Sequence, residues 1–211
     1  MKLNLGNRIF MAVIDAIIKV LYHPVVHYEG EKWGKDGTDF PAIIIANHTG
    51  HLDGPVMSSA LGIYERLHCL AAKDRFDDKW FGFWLRHTNC IPIDRENPNI
   101  SWIHDSMRLL KADKECVAIF PEGRHGRRRE QLPFHSGVTL LAVMAGEPVI
   151  LVYIDGPLRI FHSSHIMVGK PFRVRDSEEG ISPEFVKEQT ELFQNGMKDL
   201  MNEYIRISDG R

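Results

Sequence analysis

Along this chain, short apolar runs cut off by turn residues alternate with segments of helical period. The sharpest run is residues 42–46, which are apolar and rich in β-branched isoleucine and so predict a buried strand. It stops at Asn47 and gives way to a polar turn holding His48, Gly50, His51 and Asp53. Pro55 then stands where a helix begins, with Asp53 placed to cap it. Further strands are predicted over residues 67–72, 89–93, 115–120, 148–154, 165–168 and 171–174. Helices are predicted over residues 9–22, 55–62, 77–87, 100–111, 137–145 and 182–205, the last opened by Ser182-Pro183-Glu184. Residues 28–39, rich in Gly, Lys, Glu and Asp, read as a loop. Strands alternating with helices imply an α/β fold, a mostly parallel central sheet flanked by helices on both faces.

The N-terminal segment has its own pattern. Residues 9–22 are apolar except Asp15 and Lys19, which with Arg8 form one narrow polar stripe at helical spacing. The segment is shorter than the roughly 20 residues that span a bilayer, and no basic leader or small-residue cleavage site marks a signal peptide. So wide an apolar arc suits a helix packed on the domain and equally one lying in a membrane interface. The chain therefore divides into an N-terminal amphipathic segment, residues 1–30, and a single domain, residues 31–211.

Composition narrows the function classes. A net charge of −2 over 211 residues argues against a nucleic-acid coat or a polybasic surface. Cys69, Cys90 and Cys116 are odd in number, widely spaced and set in apolar runs. They read as buried thiols of a reducing compartment, not as a disulfide framework or a zinc site.

Parallel strands carry their carboxyl ends to one edge of a sheet, where α/β proteins gather their chemistry. Four predicted strand ends deliver polar residues there: Asn47 to Asp53, Lys73-Asp74, Asp94-Arg95 and residues 122–129. His48 and Asp53 lie too far apart for one helical face, yet a turn can fold the carboxylate back onto the imidazole. Such a contact fixes the ring's tautomer and stabilises the imidazolium formed when the ring takes a proton. A His/Asp pair beside cations and a glycine turn suits proton abstraction from a hydroxyl near an anionic group.

Asn47-His48-Thr49-Gly50-His51-Leu52-Asp53 resembles the NHxxxxD block of the glycerolipid acyltransferases, the family of lysophosphatidic acid acyltransferase. Ile91-Pro92-Ile93-Asp94-Arg95 is similar to that family's second block, Phe120-Pro121-Glu122-Gly123 to its third, and Glu147-Pro148-Val149-Ile150-Leu151-Val152 in part to its fourth. Order and spacing agree across about residues 40 to 155. Two departures bear on the acceptor more than on the chemistry. Arg124-His125-Gly126 stands where the family usually continues Thr-Arg-Ser, and Leu151 where it has a second proline.

The resemblance implies acyl transfer from an acyl-CoA or acyl carrier protein thioester to the hydroxyl of a lysophospholipid, 1-acylglycerol-3-phosphate by default, with no metal or other cofactor. In that mechanism His48 is the general base, and Asp53 orients and supports it. Arg95, Glu122 and Gly123 form the acceptor region, where a guanidinium grips phosphate bidentately. Backbone N–H groups around Gly123 are candidates for holding the oxyanion. Lys73 and the basic run from Arg124 to Arg129 add positive potential for an anionic head group, CoA phosphates or anionic lipid. The resemblance further implies a cytoplasmic protein, peripheral on the inner face of the cytoplasmic membrane, with no nucleic-acid partner.

Other readings stay open on the residues alone. His48, His51 and Asp53 could ligate the metal of a hydrolase, although Gly54 stands where such sites add a further histidine. The acceptor could be a lipid lacking glycerophosphate, or the fold could bind lipid without catalysis. Asp53 also serves as a plain helix cap, His51 as a structural residue, residues 127–129 as a solvated charge run, and Trp80, Phe81, Phe83 and Trp84 as core or membrane-facing surface.

Overall fold

The computed structural model describes residues 5–32, 40–94, 99–174 and 180–210. Its strands are β1 (Pro24–Tyr28), β2 (Ile43–Ala46), β3 (Leu67–Ala72), β4 (Cys90–Ile93), β5 (Cys116–Ile119), β6 (Val149–Ile154) and β7 (Ser164–Val168). Its α-helices are α1 (Leu5–Tyr22), α2 (Asp53–Leu61), α3 (Phe81–His87), α4 (Ser101–Arg108), α5 (Gly137–Ala145) and α6 (Pro183–Asp209). The strands form one sheet in the order β1-β7-β6-β2-β5-β3-β4. Every neighbouring pair runs parallel except β6 with β7. The fold is thus the expected α/β class with helices on both faces.

The central strands read as continuous apolar runs because both of their faces are covered. Ile43, Ile45, Val149, Leu151 and Tyr153 point to one side and pack with Ile103, Leu141, Phe193 and Leu200 from α4, α5 and α6. Their alternates Ala42, Ile44, Ala46, Ile150, Val152 and Ile154 point to the other, against Ile18 and Tyr22 of α1 and Val56, Met57 and Leu61 of α2. Burying an aliphatic side chain of this kind stabilises a fold by about 1.5–3 kcal/mol. The period-two split of residues 42–46 therefore ties β2 to both layers at once.

The structure departs from the sequence reading in three places. Pro24–Tyr28, which carries no alternating pattern, is an edge strand parallel to β7. Residues 171–174 form no strand, and Phe172 makes only an isolated bridge to Val149. The polar stripe of α1 is also turned inward in part. Asp15 is buried and its Oδ2 accepts from Lys19 Nζ at 2.6 Å, while Leu5, Ile9, Val13, Ile17 and Val20 face outward. Arg8 reaches the carboxylate of Glu65 at 3.2 Å. No helix among the described residues is long and apolar enough to cross a membrane.

Strands β2, β5, β3 and β4 are mutually parallel, so their carboxyl ends open on one edge. The turns after β2 and β5 are neighbours there because those two strands pair directly.

Candidate active site

The turn after β2 is fixed before it reaches its first histidine. Asn47 is buried and takes the place of a further ladder residue: its Nδ2 donates to the Ile154 carbonyl at 3.0 Å, and its Oδ1 accepts from the Ile154 amide at 2.7 Å. The chain then folds tightly, with the Asp53 N–H donating to the Gly50 carbonyl at 3.2 Å. Asp53 opens α2 and is fully buried. Its Oδ2 accepts from His48 Nδ1 at 2.9 Å, from the Thr49 amide at 2.5 Å and from the Gly50 amide at 2.9 Å, while its Oδ1 accepts from the Thr49 hydroxyl at 3.0 Å. The expectation that Asp53 caps its helix is corrected. Leu52 holds the cap position without a side-chain bond, and the Asp53 carboxylate instead accepts from the amides of the loop behind it. A carboxylate on Nδ1 leaves the other ring nitrogen, Nε2, for a reacting hydroxyl.

The turn after β5 closes on the same imidazole. Phe120 stacks on the His48 ring with centroids 4.4 Å apart. Glu122 is buried, and its Oε2 accepts from the His48 backbone N–H at 3.3 Å while its Oε1 accepts from the Leu132 N–H at 3.4 Å. Glu122 therefore faces protein backbone and braces the turn that carries His48. Burial pushes its carboxyl up to about 6, against the two amides and the His48 ring. Gly123 adopts a left-handed backbone (φ +65), and a Cβ there would lie 3.1 Å from His135 Nε2, so both conformation and space call for glycine. Its own N–H donates to the Phe120 carbonyl at 3.1 Å, which removes that amide from the expected oxyanion donors. Farther along the loop, the Gly126 N–H donates to the His48 carbonyl at 2.7 Å.

His48 opens onto a cavity of about 690 Å³. Near the imidazole its walls carry His51, Phe120, Gly123, Arg124 and His125, and Met11, Ile14 and Ile18 of α1 together with Trp84 and Leu85 of α3 supply an apolar wall. Trp80 and Phe83 of the same aromatic run face solvent instead. Of the other expected site residues, Arg124 is exposed and lines the cavity, whereas Lys73 does not: its Nζ lies 3.1 Å from Asp94 Oδ2 and its side chain is largely in solvent. Arg75, from the 3₁₀ turn Lys73–Asp77, lines the cavity where Lys73 was expected, because that turn swings the side chain two residues on toward the opening. Arg95 lies outside the described residues.

The basic run is tied down at its far end. Arg128 makes a two-pronged bond to Asp155, at 3.2 Å and 2.8 Å, and Arg129 Nε approaches the same carboxylate at 3.9 Å. His51 packs its ring on Phe81 and His125. With Asp53 committed to Nδ1 of His48 and to loop amides, no three His, Cys, Asp or Glu side chains among the described residues are placed to hold a metal ion.

Residues 26–155 match the family model described as Acyltransferase. The chain is 31% identical to the 1-acyl-sn-glycerol-3-phosphate acyltransferase of Bacillus subtilis, over 76% of this chain and 81% of that protein. It is 27% identical to the protein of the same name from Streptococcus pneumoniae, over 74% of this chain and 58% of that one. Its fold is similar to the crystal structure of the 1-acyl-sn-glycerophosphate (LPA) acyltransferase PlsC from Thermotoga maritima. That match has a TM-score of 0.65 at 21% identity and covers 94% of this chain and 80% of the other.

Proposed function

The chain belongs to the acyltransferase family and is an O-acyltransferase, and we propose that it esterifies the free hydroxyl of 1-acylglycerol-3-phosphate with a fatty acyl group taken from a thioester of coenzyme A or acyl carrier protein. The observation that carries the mechanism is the 2.9 Å bond from His48 Nδ1 to the buried Asp53 carboxylate at the wall of the cavity. With Nδ1 committed, Nε2 takes the proton of the acceptor hydroxyl as its oxygen attacks the thioester carbonyl. The new C–O bond forms, the C–S bond breaks, and the imidazolium returns the proton to the departing thiolate. Asp53 stabilises the imidazolium between these steps.

The apolar wall built by α1 and α3 suits a fatty chain, and the guanidiniums of Arg75 and Arg124 suit an anionic head group beside the reacting atoms. Arg95 is proposed for the same role from the sequence block that holds it. Glu122 and Gly123 act by shaping the turn under His48. The outward row Leu5, Ile9, Val13, Ile17 and Val20 suits a helix resting in the interface of the cytoplasmic membrane's inner leaflet, where both lipid substrates partition.

The test is thiol release from a long-chain acyl-CoA over a panel of acceptors. Release that depends on lysophosphatidic acid and is lost with a monoacylglycerol lacking phosphate is the expected result. Equal rates with and without the phosphate would overturn the acceptor assignment.

A further inference from the structure

His48 is held on more sides than a His/Asp pair requires. Asp53 takes Nδ1, Phe120 stacks on the ring, and His125 packs edge-to-face against it with centroids 4.3 Å apart and planes at 85°. His125 in turn meets the His51 ring at 4.5 Å and 79°, so one imidazole is wedged between two others. The next residue grips the same histidine through the backbone, since the Gly126 N–H donates to the His48 carbonyl at 2.7 Å. Two consecutive residues of this loop, the exposed His125 and the half-buried Gly126, thus meet the ring and the main chain of His48.

From this juxtaposition we propose that His125 is a positioning residue for acyl transfer, one that holds the His48 ring in the orientation where Nδ1 meets Asp53. The inference rests on the reading of His48 as general base. An imidazole on a loop-borne residue swings about χ1 and χ2 unless neighbours fill the space around it, and rate falls steeply with small displacements of a reacting group. Phe120 restrains the ring by stacking, and His125 blocks its rotation from a second direction.

Where the family usually carries an arginine, this chain carries His125. The groups acting on His125 are His48 and His51 beside it, Asp53 behind them, and Arg75 from the 3₁₀ turn. Partial burial of the ring and its histidine neighbours lower its affinity for a proton. A permanent charge in place of this ring would add to the cost of the imidazolium that His48 forms during transfer.

Three variants test the proposal: His125→Ala, His125→Phe and His125→Arg. Positioning predicts that His125→Ala lowers kcat about ten- to a hundred-fold while KM for acyl-CoA and for lysophosphatidic acid each stays within about two-fold. His125→Phe, which restores a flat ring, recovers most of kcat, and His125→Arg moves the acid limb of the pH–rate profile to lower pH. In NMR spectra of the full chain, the His48 ring proton bonded to Asp53 broadens in His125→Ala and returns in His125→Phe. That signal does not depend on the reaction, so it separates failure of this proposal from failure of the general-base reading, which a fully active His48→Ala variant would expose. A raised acceptor KM with unchanged kcat in His125→Ala would make His125 an acceptor ligand and overturn the proposal, as would kinetics and spectra matching the wild type in all three variants.

Discussion

At Asp53 four donors converge on one buried carboxylate, and only one of them is the histidine. The residue therefore does two things: it supports the imidazolium and it closes the turn that carries the ring. Asp53→Asn separates them only partly, because the amide nitrogen would face the donors that the second oxygen now accepts. The expected outcome is a fall in kcat of about a thousand-fold or more with a stability loss of about 1–3 kcal/mol, measured by thiol release and urea unfolding. The contact with His48 was legible from the sequence because it is local and carried by one turn. The two amides at Thr49 and Gly50 were not, since whether a carboxylate caps forward or reaches back depends on where the helix begins. The amide of Gly123 escaped for a similar reason: its bond to the Phe120 carbonyl is a property of the turn's dihedral angles.

Glu122 belongs to the same scale, and its pH dependence has a definite sign. Burial raises its pKa from 4.5 to about 6, so the folded state holds the protonated acid better than the unfolded chain does. Its contribution to stability is complete below pH 4.5 and is lost as pH rises through about 6. Wild type should therefore lose stability relative to Glu122→Gln across that window. A difference between the two that stays flat with pH would contradict the burial of this carboxyl.

At the scale of elements, α1 is the informative case. Its sequence shows a narrow polar stripe, and the simplest expectation turns that stripe to solvent. Instead Asp15 faces inward, paired with Lys19, and lines the cavity, and the outward face keeps Leu5, Ile9, Val13, Ile17 and Val20. A helix apolar on both sides leaves one of them to be covered by something else. If that cover is lipid, Val13→Asp should weaken binding to phosphatidylglycerol-containing vesicles by about ten-fold while leaving the rate on a short-chain, water-soluble donor unchanged. Cosedimentation reads the first and thiol release the second, and unchanged vesicle binding would contradict the seating of α1 in the membrane. β1 shows the opposite limit of sequence reading. Pro24–Tyr28 carries no alternation to mark it, and its partner β7 is supplied by residues far along the chain.

Across the whole molecule the sheet does the positioning. Direct pairing of β2 with β5 brings the turns after them together, so His48 and Glu122 meet although they are distant in sequence. That both turns share one sheet edge was legible from the parallel order of apolar runs, whereas the direct pairing of β2 with β5 that makes them meet was not. The choice between Lys73 and Arg75 was not, because it turns on the path of a single 3₁₀ turn.

The fold also carries a global pH dependence through His68 on β3. Burial lowers its pKa from 6.5 to about 4, and the unfolded chain therefore binds the proton more tightly. Stability from this group is complete above pH 6.5 and is lost as pH falls toward 4, by about 3 kcal/mol in all. Denaturation midpoints of His68→Gln should fall less steeply than those of wild type over that range. Parallel curves would show that His68 is not held neutral by burial.

The central claim is that His48 Nε2 removes the acceptor's proton, and thiol release by His48→Ala beside wild type tests it most directly. With long-chain acyl-CoA and lysophosphatidic acid at saturation, the account predicts a fall in rate of about a hundred- to ten-thousand-fold in a variant whose unfolding midpoint matches wild type. A folded His48→Ala that releases thiol at the wild-type rate would contradict it.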